Sequence, residues 1–333
     1  MAKNIAFYIS DHNMEHAWRN LPVLHTILKM ENDLQLYIKS GNEQIAYMTE
    51  HMHWDDRVHF YAMDMREECP DSWDERIEKE IDFLKEQRVG LVVSDICPWI
   101  FPAADELRIK SLLIGNFTWV DLCGEKETLQ EAYLECYELA SKMLIYDFHQ
   151  PSMMNYGVEY ELISMINGPY HIEEIERIRY SAALPIVFTD LDGTYDVSGL
   201  PYHFFVAGND NWKGDNVTCL PADTPDLQDY IAASRFVLGK GSFSLIAQVV
   251  LANKKSALAV DGNIPMSKNM IDLLTKREQC IQITEEDMED VGAVLRRLEE
   301  FSYSFEHEYH NDDYEIAKKI LFTYPEKRRR SRS

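Results

Sequence analysis

Residues 4–20 read NIAFYISDHNMEHAWRN, and this stretch decides the fold. Ile5 to Ile9 is a short apolar run of β-branched and aromatic residues, which predicts a buried strand. Ser10-Asp11-His12-Asn13 interrupts it. From Ala17 the apolar residues recur at Leu21, Leu24 and Leu28, the spacing of one helix face. A loop that leaves a strand and opens into a helix is where open α/β sheets bind ligands. This loop carries two imidazoles, His12 and His16, and two carboxylates, Asp11 and Glu15.

The same alternation continues outward. Strands are expected at 34–39, 58–62, 89–95, 111–115 and 143–146, separated by helices from near 42, over 71–87 and 98–107, and over 126–142. Strands that are nearly continuous in apolar residues belong to a parallel sheet covered on both faces. HQPSMMNYG at 149–157 reads as a linker. A second series follows, with strands at 185–189, 203–206, 217–220, 235–238, 256–260 and 280–283 and helices between them, two of them starting near Pro225 and after Pro265. The expected class is α/β, with two Rossmann-like domains facing a central cleft. Their bounds are 1–150 and 158–305, and 306–333 forms a C-terminal helix and a basic tail.

Composition narrows the function. A chain of 333 residues, 46% of them hydrophobic, suits two domains that each bury a core. No apolar run is as long as a membrane span, and the N-terminus enters a strand without a signal-peptide pattern. The six cysteines lie far apart without a CxxC pair, as thiols of a cytoplasmic protein would. A formal charge of −24 argues against nucleic acid or an anionic membrane as partner. The exception, Lys327 to Arg332, reads as a solvated end.

A second candidate site is RFVLGKGSFSLIAQ, 235–248. A strand feeds Gly239-Lys240-Gly241-Ser242, with Ser242 placed to cap the next helix. Amides in such a turn, a helix N-terminus and the Lys240 cation together suit an anion. The spacing is not that of a Walker loop. The histidines and aspartates of HMHWDD (51–56) and of 307–313 read as solvated segments, and no metal site is expected.

Three blocks, in order, resemble the MurG-like glycosyltransferases of the GT-B fold. DHNMEHAWRN resembles their G-x-G-H-A-x-R-N loop. VVSDICPWIFPAA followed by SLLIGNFTW, and DLQDYIAASRFVLGKGSFSLIAQ, resemble two later blocks. The likeness runs from about residue 4 to 285. It implies transfer of a sugar, hexosyl or N-acetylhexosaminyl, from a nucleotide-activated and UDP-type donor to a small-molecule, glycan or lipid acceptor, with no obligatory metal or cofactor. Carried over by position, Gly239, Lys240, Gly241, Ser242 and Gln248 would bind the donor. His16 would be the base, assisted by Asp95 or Glu15, and Asp11, His12 and Asn116 would line the acceptor side. The sequence departs from the pattern at Asn13 and Glu15, where glycines are expected, and at Gln248, where a glutamate is expected. Those departures keep open a nucleotide-sugar hydrolase or a binding protein that has lost catalysis. IVFTDLDGT, 186–194, also matches the D-x-D-G-T signature of haloacid-dehalogenase phosphatases, which would make Asp190 the nucleophile, Asp192 the acid/base and magnesium the cofactor.

Overall fold

The computed structural model describes residues 2–325 except 54, 66–69, 125, 222, 223, 225 and 265, and Cys69 and the basic tail lie outside the described residues. The chain divides into two compact units, residues 1–164 with 312–333, and residues 165–311.

The first unit is built on β1 (Lys3–Ile9), β2 (Leu34–Ser40), β3 (Val58–Ala62), β4 (Leu91–Asp95), β5 (Lys110–Gly115), β6 (Lys142–Tyr146) and β7 (Tyr160–Ile163). They form one sheet in the order β3-β2-β1-β4-β5-β6-β7, and every pairing is parallel. Ile5 to Ile9 are buried because β1 lies inside the sheet with helices against it, which is why the run is apolar on both faces. The chain steps outward from β1 to β3 and then crosses to β4, so the order reverses between β1 and β4. Ile9 and Asp95 are register partners at the carboxyl ends of those two strands, the position where such sheets bind ligands.

Two expectations about this unit change. Residues 149–157 form no linker: Gln150 N donates to Asn116 O (2.8 Å), Met153 and Tyr156 are buried, and Ser152 Oγ donates to Asp121 Oδ1 (2.6 Å). The unit extends through β7, whose sequence YELI lacks the apolar run of an interior strand because β7 is the sheet edge. The C-terminal helix Asp313–Thr323 returns to this unit, where Thr26 Oγ1 donates to Asp313 Oδ2 (2.6 Å) and Lys319 pairs with Glu161. Tyr324 packs on Gly90, where a Cβ would lie 2.4 Å from its hydroxyl.

The second unit contains β8 (Ile186–Thr189), β9 (His203–Ala207), β10 (Val217–Leu220), β11 (Phe236–Lys240), β12 (Lys255–Ala259) and β13 (Ile281–Ile283). Their order is β10-β9-β8-β11-β12-β13, again parallel throughout. The reversal here falls between β8 and β11, which places the loop after β8 and the GKGS turn side by side. The core of this unit gathers Phe204, Phe236, Leu238 and Leu295 from the sheet and its covering helix.

Candidate functional site

In the first unit the helix Met14–Met30 begins directly after the polar loop. Asn13 is its N-cap, accepting from Glu15 N at 2.9 Å with an extended backbone (φ −159°). That conformation needs no glycine, so the sequence difference at Asn13 is a change of cap. His16, Arg19 and Asn20 are three and four residues apart and share one face of the helix. All three are buried, with Asp95, which ends β4, and Asn116, which directly follows β5.

Asp95 organises the group. Arg19 Nε donates to Oδ2 (2.8 Å) and Arg19 Nη2 to Oδ1, and Asn20 Nδ2 donates to Oδ2 (2.5 Å). His16 Nδ1 lies 3.0 Å from Oδ1. Arg19 Nη1 continues to Asn116 Oδ1 (2.8 Å), and the guanidinium carbon lies 5.5 Å from the centre of the Tyr146 ring. Arg19 Nη2 also approaches His16 Nδ1 (2.9 Å), but its shorter contact is with the carboxylate, so we assign the Nδ1 proton to a bond donated to Asp95. Among the described residues no protein group hydrogen-bonds Nε2. The ring is therefore held in the tautomer whose free nitrogen can accept a proton.

The charges follow from burial and pairing. Burial lowers the His16 pKa below its ordinary value, more than the Asp95 carboxylate raises it, so the imidazole is neutral at pH 7. Burial would raise Asp95, but Arg19 and His16 outweigh it and hold the carboxyl well below the usual range. The net shift of His16 is downward, and Asp95, one of the two carboxylates expected to assist it, lies against its Nδ1 and orients the ring. Ile96, next to Asp95, adopts φ +60°, which a β-branched residue tolerates only when held; Tyr137 Oη donates to its carbonyl at 2.6 Å.

Aromatic side chains stand beside the imidazole. His12 is exposed and meets Trp119 edge to face (5.2 Å), and Phe117 lies 5.7 Å from His16. Trp119 Nε1 is buried without a hydrogen-bond partner among the described residues. Trp99 instead fills the core and donates to Met65 O (3.0 Å). Asp11 is half-buried and packs against Gly41. Sequence reasoning missed Arg19 and Asn20, although their i+3 and i+4 spacing from His16 was there to be read.

In the second unit the GKGS amides are engaged. Lys240 N donates to Asp190 Oδ1 (3.0 Å), Gly241 N to Ala259 O (2.9 Å) and Ser242 N to Lys240 O (2.8 Å). Ser242 Oγ caps the helix Phe243–Leu251, accepting from Leu245 N at 3.1 Å. Lys240 Nζ pairs with Asp192. The glycines serve close packing: a Cβ on Gly239 would lie 2.2 Å from Leu245 Cδ2, and one on Gly241 2.5 Å from Ile271 Cδ1. Gln248 is half-buried in the second turn of the helix. A depression of about 310 Å³ beside His203, Asp215 and Asn216 lies at the opposite, amino ends of these strands.

Asp190 and Asp192 are adjacent to this turn, and the strands flanking β8 end in Ala207 and Lys240. Among the described residues no group of three or more His, Cys, Asp or Glu could hold a metal ion. His51 and His53 bond to helix carbonyls, and His59 to Gln35. No disulfide joins the described cysteines, and no described helix is long and apolar enough to cross a membrane.

No family model matches the chain, and no curated protein sequence does. Solved structures do. The glycotransferase of kitacinnamycin is 12% identical, covering 97% of this chain and 100% of that one with a TM-score of 0.67. MurG of Acinetobacter baumannii is 11% identical over 97% of this chain and 100% of its own, at 0.66. A UDP-glucose:anthocyanidin 3-O-glucosyltransferase in complex with UDP is 7% identical over 97% and 94%, at 0.65. At these identities the likeness establishes a fold.

Proposed function

We propose that this chain, whose two parallel α/β units have the fold of the GT-B glycosyltransferases, transfers a glycosyl group from a nucleotide-activated donor to an acceptor hydroxyl. The observation that carries this reading is the buried His16–Asp95–Arg19 group at the switch point of the first sheet. Asp95 fixes the imidazole with Nε2 as acceptor, and burial keeps it neutral, which are the two requirements of a general base near pH 7. In the proposed step Nε2 takes the proton of the acceptor hydroxyl as its oxygen attacks the anomeric carbon. The bond from that carbon to the diphosphate oxygen breaks, and the nucleoside diphosphate leaves with the electron pair. Attack opposite the leaving group inverts the anomeric configuration. We assign the donor to the turn Gly239–Ser242 and the acceptor to the side of His12, Phe117, Trp119 and Asn116.

One observation favours a second reading. The amides of Lys240, Gly241 and Ser242 already have protein acceptors, and Lys240 is paired with Asp192. A protein that keeps the fold and binds a sugar ligand without transferring it fits that closure. Thermal shift against a panel of nucleotide sugars separates the readings when combined with turnover. Stabilisation by a UDP-type sugar, with nucleotide released only when acceptor is added, supports transfer. Release without acceptor marks a hydrolase, and binding without release marks the catalytically silent form.

A further inference from the structure

The loop after β8 carries a carboxylate where the neighbouring strand offers an unused amide. β8 stops early: its last register partner on β11 is Leu238, opposite Thr189. Gly239 and Lys240 therefore extend past β8, and no β8 carbonyl reaches the Lys240 amide on that side. Asp190 Oδ1 takes its place, accepting from Lys240 N at 3.0 Å and lying 2.8 Å from where a Cβ on Gly239 would be. Two residues on, Asp192 pairs with the Lys240 ammonium. The loop is braced on its far side: Asn209 Nδ2 donates to Leu191 O (3.0 Å) and Gly193 O (2.9 Å), and Trp212 Nε1 to Leu191 O (3.2 Å). Both positive features that a phosphate would use at this crevice, an amide and an ammonium, are thus held by carboxylates of the protein.

We infer that Asp190 and Asp192 determine which ligands this crevice admits, acting as built-in counter-anions that a diphosphate must displace and that leave an uncharged ligand unaffected. The inference rests on the donor assignment proposed above. Its energetics are unequal. Asp192 is largely exposed, so its ion pair is screened and weak. The Asp190 carboxyl is half-buried, so repulsion between it and a ligand phosphate is screened less than that of Asp192. Burial also pushes Asp190 up to about 7, with the Lys240 amide and ammonium opposing that rise, so the counter-anion is only partly formed at neutral pH.

The test compares UDP with uridine by titration calorimetry on the wild type, Asp190→Asn, Asp192→Asn and the double variant. At pH 8, where Asp190 is mostly ionised, the expected result is UDP binding up to about tenfold tighter in Asp190→Asn, a few-fold tighter in Asp192→Asn and tightest in the double variant, with uridine affinity unchanged. If wild type binds UDP and neither variant binds it more tightly, the inference is overturned while the donor assignment stands. If uridine gains as much as UDP, the effect is one of space and the inference is again overturned. If no form binds UDP, the donor assignment fails and takes the inference with it. Should Asp190→Asn not fold, the exposed Asp192→Asn decides alone: unchanged UDP affinity there overturns the proposal.

Discussion

His16 Nδ1 lies 3.0 Å from Asp95 Oδ1, across 79 residues of sequence, on an oxygen that Arg19 also holds. The four bonds that Asp95 accepts come from three side chains of a single helix face, so the carboxylate ties the first helix to the end of β4. Stability and the proposed proton transfer thereby depend on the same group.

Arg19→Met removes one partner of a buried pair and leaves Asp95 charged without its main counter-ion. Such a loss costs about 3–5 kcal/mol, and urea unfolding should show a drop of that size. Arg19→Lys should recover little of it, since an ammonium cannot supply both the Nε and Nη2 bonds to Asp95 and reach Asn116 as well. A drop under about 1 kcal/mol would mean that the group is not closed as described.

The pH dependence has a definite sign. His16 titrates lower in the folded chain than its ordinary ~6.5, so the unfolded chain binds the extra proton below that pH. Stability from the neutral ring is complete above ~6.5 and is lost as pH falls toward the folded value. Asp95, also lowered, adds stability that is present above ~4 and is lost only in stronger acid. Melting temperature should therefore fall from pH 7 to 5, and His16→Gln should flatten that limb.

Asp190 works in the opposite direction. Its folded value of about 7 lies above that of the unfolded carboxyl, so its relative stabilisation is present at low pH and is lost as pH rises through 7. Asp190→Asn should raise the melting temperature most at pH 7–8, by less at pH 5, and little near pH 4. UDP affinity of the wild type should also fall between pH 6 and 8 relative to Asp190→Asn. The charged groups facing Asp190 are Lys240 at the end of β11 and Asp192 on its own loop; Asp261, after β12, acts on Lys240.

Neither glycine of the GKGS turn has a left-handed backbone, so alanine tests packing alone. Gly239→Ala and Gly241→Ala should each cost about 1–3 kcal/mol, because Leu245 and Ile271 occupy the space a Cβ needs. Gly262→Ala, where a Cβ meets nothing within 4 Å, should be close to neutral and serves as the control.

These contrasts show what the sequence made legible. β1 and β4 could be read because an interior parallel strand is apolar on both faces, and the loop between β1 and its helix could be read from where the period changes. β7 could not, since an edge strand needs no such run, and the polar stretch at 149–157 looked like a linker although its backbone and side chains anchor it beside Asn116. His16 and Asp95 were visible as chemistry at strand and helix ends. The partnership with Arg19 and Asn20 required the helical face to be read alongside the motif. The commitment of the GKGS amides was not legible, because it depends on where β8 stops relative to β11.

The most direct measurement is the turnover of His16→Ala, with wild type and Glu15→Gln beside it, using a UDP-sugar and acceptor pair found by the panel. Loss of a general base predicts a fall in kcat of about 10²–10⁴-fold, with donor affinity unchanged and Glu15→Gln active. Turnover by His16→Ala equal to that of the wild type would contradict the assignment of His16 as the base.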